Sequence, residues 1–586
     1  MSRFLLRVLA AAFSCAIASV TLAAEPSKVL RIAAFEIDTL DPQQYADDPS
    51  FQVVMALFEP AYEWDYLAPT PKLLPLTAAA MPEITDGGRV WTIKLRQGIL
   101  FHDDPVFKGK PRELVATDYI YSYKRWLDPN LRRAGQPVLT DLILGARPVI
   151  EAAKKTGKLD YDAPIEGLRV VDRYTLQIRM SQPNYPGVRD LISFVGAVPR
   201  EVVEAAGLDI RTRAVGTGPF RLKEWKRGSR LVLERNPAYR EAYFPASERK
   251  EDADLVRTMK GKRVPMADLV EINIVDEDIT RLLLFEQGGL DFVQLRGEIA
   301  TRLLANGKLK PDYVARGITR QVNVEPFLFS LYFNMKDPIS GGMSNERIAL
   351  RRAIAHGFDT DTLIKVVLAD QAIPANQFIP PGVGGHDPES PAKSIYDPAT
   401  AKALLDRFGY TKRDTDGFRQ VPDGSRLTIV LSLRTGGITR ELQTLFKKNM
   451  DAIGLRTDFN VMPFQDMIKD LEKGKFQMYS GGFGGSPSGY NEHSQLHSKQ
   501  PQRVNVVQFA NADYDRAAEA FLKSATEEEQ LAAARTMYGI ARTYMPQLPV
   551  YFRLESNYVQ PWLSGFRPGV FSSYWKYLDV DPAKRK

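Results

Sequence analysis

The rhythm of this chain changes near residue 320, and no linker, repeat or low-complexity run marks the change. Before it, apolar residues alternate with polar ones in short runs closed by turns. Ile93 and Leu95 alternate with Lys94 and Arg96 up to Gly98, and Asp172-Arg173 separates GLRVV from TLQIRM. Gly216-Thr217-Gly218-Pro219 feeds a strand at residues 220–222, Arg227-Gly228-Ser229 turns it, and residues 231–234 return; residues 268–275 alternate again. Period-two patterns bounded by Gly, Asp and Ser read as hairpins. Beyond residue 320 strands alternate with helices, and a short β tail closes the chain. At 586 residues the chain exceeds what one hydrophobic core fills. Two rhythms without a tether imply an α/β protein of two or three lobes joined by strands, which suits a hinge.

The first strand, residues 29–35, runs into a turn at 36–42, and such strand ends are where α/β folds place ligand contacts. A helix is expected from about Phe51 to Phe58, broken before Pro60. ATDYIYSYKRWLDP predicts a helix capped by Thr117 or Asp118 and stopped before Pro129. In the second part, 329–333 reads as a strand, and Leu350, Ala353, Ile354, Gly357 and Phe358 share one helix face. Asp397-Pro398 opens a helix that buries Ala401, Leu404, Leu405 and Phe408 and ends at Gly409. Leu442, Leu445, Phe446, Met450 and Ile453 mark another helix, and a strand follows at 455–461. Thr526 with Glu529 is a capping box for a helix reaching Met545; Pro546 to Pro549 break it before a last strand at 550–552.

Residues 476–497, FQMYSGGFGGSPSGYNEHSQLH, read as strand formers entering a glycine-rich bend and then a polar loop. Gly481, Gly482, Gly484 and Gly485 surround Phe483. Glycine permits close approach to the main chain, so this stretch is expected to form one wall of a ligand cleft.

Residues 1–24 carry the marks of a signal peptide: Arg3 and Arg7, an apolar run from Val8 to Val20, and a Thr21-Leu22-Ala23 cleavage site, with cleavage after Ala23 or Ala24. No later run approaches the ~20 apolar residues of a spanning helix. The single cysteine, Cys15, lies inside the signal behind a bulky Phe13, which argues against lipidation. The mature chain then lacks disulfides, thiolate metal sites and thiol nucleophiles. The formal charge of +7 falls to about +5 once Arg3 and Arg7 leave. Its basic residues are scattered among acids, with no aromatic-interleaved stripe for nucleic acid. His493 and His497 stand at i, i+4, but no glutamate follows the first histidine as a zinc peptidase requires; Gly489 and Asn491 point to a loop there. No G-x-S-x-G or G-x-x-x-x-G-K-[ST] occurs, so neither an esterase elbow nor an ATPase loop is read. No catalytic residue, cofactor or metal site is assigned.

A series of strings in order resembles the extracellular solute-binding proteins of the oligopeptide and dipeptide ABC-importer class, family 5. They are Leu40-Asp41-Pro42; WTIKLRQG at 91–98 with Phe101-His102-Asp103; DYIYSYKR at 118–125; Gly216-Thr217-Gly218-Pro219-Phe220; Asn236-Pro237-Ala238-Tyr239; Phe333-Asn334 before Arg351-Arg352-Ala353-Ile354; Tyr396-Asp397-Pro398 with AKALL at 401–405; and Asn511-Ala512-Asp513-Tyr514-Asp515. The resemblance covers essentially the whole mature chain. It implies a monomeric periplasmic binding protein, type II-like and two-lobed, with an extra subdomain in the first lobe and a hinge between lobes. By this reading 25–65, 212–320 and 549–586 form lobe I, 66–211 the extra subdomain and 321–548 lobe II, with hinge crossings near 315–325 and 545–555. The implied ligand is a small peptide or peptide-like solute. The implied partner is an inner-membrane ABC permease with a cytoplasmic ATPase. Glu36 and Ile37 match positions that touch peptide backbone, and Phe35 is carried over with them; Phe483, Ser486, Tyr490, Asn491 and Glu492 fall in the segment that binds the peptide amine. Relatives place an acid there; here the matching position is Ser486 or Gly489, and Glu492 is the nearest carboxylate. That departure leaves room for a blocked peptide or a non-peptide cargo such as a metal chelate or haem held by His493 and His497. A metal-dependent hydrolase is the remote alternative.

Overall fold

The structure, a computed structural model, describes residues 27–585 apart from 132–139, 141, 248, 391–392, 569–570 and 572–573. The expected signal peptide lies outside the described residues. Four strands build the first sheet, in the order Val29–Ala34, Leu269–Ile274, Arg230–Arg235, Phe220–Lys226. The first pair is parallel and the other two are antiparallel, and a bulge interrupts the hairpin between Leu222 and Glu224. The helix Asp48–Leu57 begins three residues before the expected Phe51, because Asp47 accepts from the Ser50 amide at 2.8 Å and Pro49 sits in the first turn.

A second sheet, Glu83–Thr85, Val90–Lys94, Thr175–Arg179, Leu168–Asp172, carries its own core of Trp91, Ile93, Tyr119, Leu176 and Ile178. Its helix Ala116–Leu127 is not capped by Thr117 or Asp118 as expected. Asp118 lies inside the first turn and reaches back, accepting from the Val115 amide at 2.9 Å. One buried ion pair ties this unit to the turn after the first strand, and a second, within the first lobe, lies beside the Tyr119 hydroxyl that donates to the Glu59 carbonyl at 3.0 Å. Arg125 donates to both Asp41 oxygens at 3.0 and 2.7 Å. Arg240 donates to both Glu59 oxygens at 2.7 and 2.8 Å, and Thr217 and Tyr239 add hydroxyls at 3.0 Å. Gly216 and Gly218 let the backbones meet: a Cβ there would stand 2.1 Å from the Leu57 carbonyl and 2.5 Å from that of Ala56. The tail returns to this region, with Trp562, Phe566, Trp575 and Tyr577 packed in the same cluster as Leu30, Ile32 and Val270.

The third sheet has the strand order Phe292–Leu295, Gln547–Val559, Thr319–Phe333, Met478–Gly484, Thr428–Arg434, Arg456–Met462, with Ala372–Pro374 also paired to Gln547–Val559. Its faces feed separate cores, as the period of two requires: Leu331 and Phe333 pack with Leu350 and Ile429, Leu328 and Tyr332 with Phe521 and Met537. Thr319–Phe333 and Gln547–Val559 are far longer than the expected 329–333 and 550–552. The apolar runs break at Glu325-Pro326 and at Arg553 and Glu555, but the ladder continues past them. Its register shifts between Val324 and Leu328, and again between Phe329 and Ser330, where Pro549 takes a place without needing an N–H. The two strands thus run side by side from the Phe292–Leu295 edge into the second lobe.

Candidate functional site

A cavity of about 480 Å³ lies between the lobes. The first strand delivers Phe35 to it, whose ring sits 4.1 Å under the Arg281 guanidinium. The helix that follows contributes Asp48 and Gln52, and the subdomain helix Tyr185–Phe194 contributes Asp190 and Phe194. The two long strands supply Asn323, Glu325, Arg553 and Glu555. The second lobe closes it with Gly484, Gly485, Ser486, Tyr490 and Asn491.

Four charges of this lining form one network. Arg296 donates to Glu325, and to Glu555 at 2.7 Å; Arg553 donates to Glu325 at 2.8 Å; Gln294 donates to Glu555 at 3.1 Å. Glu325 and Glu555 are buried, and burial pushes the Glu555 carboxyl up to about 7 against the pull of Arg296.

The glycine-rich stretch differs from its expected form. The strand Met478–Gly484 runs through the glycines rather than ending before them. Gly482 is required there, since a Cβ would stand 2.1 Å from the Phe327 ring of the neighbouring strand. The bend begins at Gly485, where a Cβ would meet Glu492 Oε1 at 1.9 Å. Gly489, at φ +74°, then opens a short helix, Tyr490–Ser494, in place of the expected loop.

Of the residues expected at the site, Phe35, Ser486, Tyr490 and Asn491 line the cavity, and Glu36, Ile37, Phe483 and Glu492 do not. Ile37 is fully buried in the first-lobe core, while Glu36 faces outward beside Gly228. Phe483 stands edge-on to Tyr332, 5.9 Å between ring centres, on the strand face away from the cavity's glycine edge. Glu492 is folded behind the bend; burial pushes its carboxyl up to about 8, and its Oε1 has no hydrogen-bond partner. His493 stacks on Phe521 at 3.3 Å, and burial holds it down near 3. His497 faces Asp515 and Glu519 instead, so the two histidines do not converge and neither lines the cavity. Among the described residues no group of three or more His, Cys, Asp or Glu is placed to hold a metal.

Sequence reasoning missed Asp190, Arg296, Glu325, Arg553 and Glu555. The charges at 325, 553 and 555 interrupt strands that otherwise bury apolar side chains, and that interruption was a usable signal. Asp190 and Arg296 give none, because only the fold brings them to the cleft.

Two lobes joined by paired strands, with a cavity lined from both, define a two-lobed ligand-binding receptor of the periplasmic type. The chain belongs to the bacterial extracellular solute-binding proteins, family 5, whose middle region matches residues 72–500. It is 25% identical over 581 residues to the di/tripeptide-binding protein 2 of Pseudomonas aeruginosa (strain UCBPP-PA14), covering 95% of each chain. It is 24% identical to the periplasmic oligopeptide-binding protein OppA of Escherichia coli (strain K12), covering 94% of this chain and 91% of that one. Among solved structures, the unliganded open form of the murein tripeptide-binding protein MppA superposes with a TM-score of 0.71 at 20% identity, covering 94% of this chain and 97% of that one. The family is one of solute binders rather than enzymes, and among the described residues no helix is long and apolar enough to cross a membrane.

Proposed function

We propose that this chain is the periplasmic receptor of an ABC importer, capturing a short peptide or peptide-like solute between its lobes. The carrying observation is the cavity of about 480 Å³, lined by both lobes and by the paired strands that join them. That volume lies within the range of small-ligand sites. A solute bound there touches both lobes only when they meet, so binding shifts the population toward the closed form. An inner-membrane permease recognises that form, and a cytoplasmic ATPase subunit supplies the energy. Relatives named for di/tripeptides and oligopeptides support the peptide class. Lobe I corresponds to 25–65 and 212–320 with the return at 549–586, the extra subdomain to 66–211 and lobe II to 321–548. The protein acts as a monomer after removal of its signal peptide. Native mass spectrometry of receptor purified from its own periplasm tests the reading. A co-purifying di- to pentapeptide is expected; recovery of a non-peptide solute overturns the peptide class.

A further inference from the structure

The cavity is acidic although the chain is basic. Asp47, Asp48, Asp190, Glu325 and Glu555 line it against Arg281, Arg296 and Arg553, while the whole sequence carries +7. Most of these acids are already engaged. Asp47 caps its helix through Ser50, Glu325 is held by Arg296 and Arg553, and Glu555 by Arg296 and Gln294.

Asp190 is different. It makes no ion pair among the described residues, and its Oδ1 is shut off from water without a hydrogen-bond partner. The neighbouring Arg189 is committed elsewhere, donating to the Ala525 carbonyl of the second lobe at 2.9 Å. The carboxyl of Asp190 faces Ser486 and Ser488, whose hydrogen bonds favour its charge, yet burial dominates and pushes it up to about 7. A half-buried carboxylate with one oxygen kept from water and no cation beside that oxygen is costly, and two species relieve it: a proton, or a cationic group brought by the ligand. The helix that carries Asp190, Tyr185–Phe194, also packs against the second-lobe helix Ala512–Lys523. The acid therefore stands on one lobe at the seam where it meets the other.

We propose that Asp190 is the acceptor for a cationic group of the ligand, an ammonium or guanidinium held between Asp190 of the first lobe and the Ser486 wall of the second. This deepens the proposed function and rests on it. Because acid and wall belong to different lobes, the cation is seated only when the lobes meet, and its recognition selects the closed form directly. Seating it also displaces the proton that Asp190 otherwise holds near neutral pH.

Titration calorimetry with tri-alanine and with N-acetyl-tri-alanine tests this on the full mature chain. Asp190→Asn is expected to weaken tri-alanine about 30-fold or more, to leave the acetylated peptide nearly unchanged, and to abolish the proton release expected of the native receptor in buffers of different ionisation enthalpy. Asp190→Glu restores part of the affinity. An unchanged ligand-free melting temperature separates this from misfolding. Equal losses for both peptides, no loss, or a loss seen only in Glu492→Gln each overturns the assignment. If the native receptor binds neither peptide, the peptide reading falls. The co-purified solute then decides the cation question: an ammonium or guanidinium supports Asp190, and a neutral or anionic solute overturns it.

Discussion

Asp41 and Glu59, at the joint between the first sheet and the subdomain, are each gripped by an arginine, whereas Asp190 and Glu492, at the seam between lobes, make no ion pair among the described residues. Asp41 and Glu59 are fully buried, while Asp190 and Glu492 are half-buried with one carboxyl oxygen each, Oδ1 and Oε1, shut off from water. At the joint, burial would raise Glu59, but Arg240 and its neighbours hold it below the usual carboxylate range. At the seam burial outweighs the hydrogen bonds that Ser486 and Ser488 offer Asp190 and that the Ser486 amide offers Glu492, and the two carboxyls are pushed up to about 7 and about 8. A satisfied buried charge has one arrangement and fixes structure. An unsatisfied one retains a demand that a ligand or a proton meets.

The largest way to break this contrast is to unpair the joint. Arg125→Met removes the cation shared by Asp41 and the Gln43 side chain, leaving Asp41 only the neutral donors of Gln43 and Gln44 in a site from which water is excluded. A loss of about 3–5 kcal/mol is expected in urea denaturation; a loss below about 1 kcal/mol would remove the distinction between joint and seam.

Next comes the pH dependence of Glu492. Its folded pKa lies above the ordinary value, so the fold binds the extra proton and its contribution is complete below the unfolded pKa, near 4.5, and lost as pH rises through about 8. Glu492→Gln carries no such proton. Its stability relative to the native chain is therefore expected to climb between pH 5 and pH 8, with a slope of at most about 1.4 kcal/mol per pH unit. Parallel melting curves across that range would mean that the acid is satisfied after all.

The smallest effect concerns shape rather than charge. Gly482→Ala drives a methyl into the Phe327 ring, which itself lines the cavity. A cost of about 1–3 kcal/mol is expected, together with weaker ligand binding, and Phe327→Leu in the same chain should recover part of both. Failure of that second change to help would show that the glycine is needed for something other than the ring.

Short strings at the joint were legible in the sequence, but neither the pairings of the joint nor those of the seam were, for a physical reason. Asp41, Arg125, Gly216 and Gly218 lie in such strings, yet Asp41 meets Arg125 only across 84 positions of the chain. Asp397 with Pro398 and Thr526 with Glu529 were readable, and both cap the helices they announce. Part of the glycine-rich stretch lines the cavity, although Phe483 turned to the other face and Glu492 folded behind the bend. Strand parity and the crowding at Gly485 decided those directions, and both depend on the neighbouring strand. Asp190 meets Ser486 only across the interlobe seam, almost three hundred positions further along the sequence, and no local periodicity encodes such a meeting.

The paired strands Thr319–Phe333 and Gln547–Val559 carry one further consequence. A ribbon of two hydrogen-bonded strands bends readily across its face, but shearing it in its own plane breaks the ladder. The bulge between Val324 and Leu328 is where that ladder is already open. A bend at that opening turns one lobe against the other about a single angle, the hinge closure expected of a two-lobed binder.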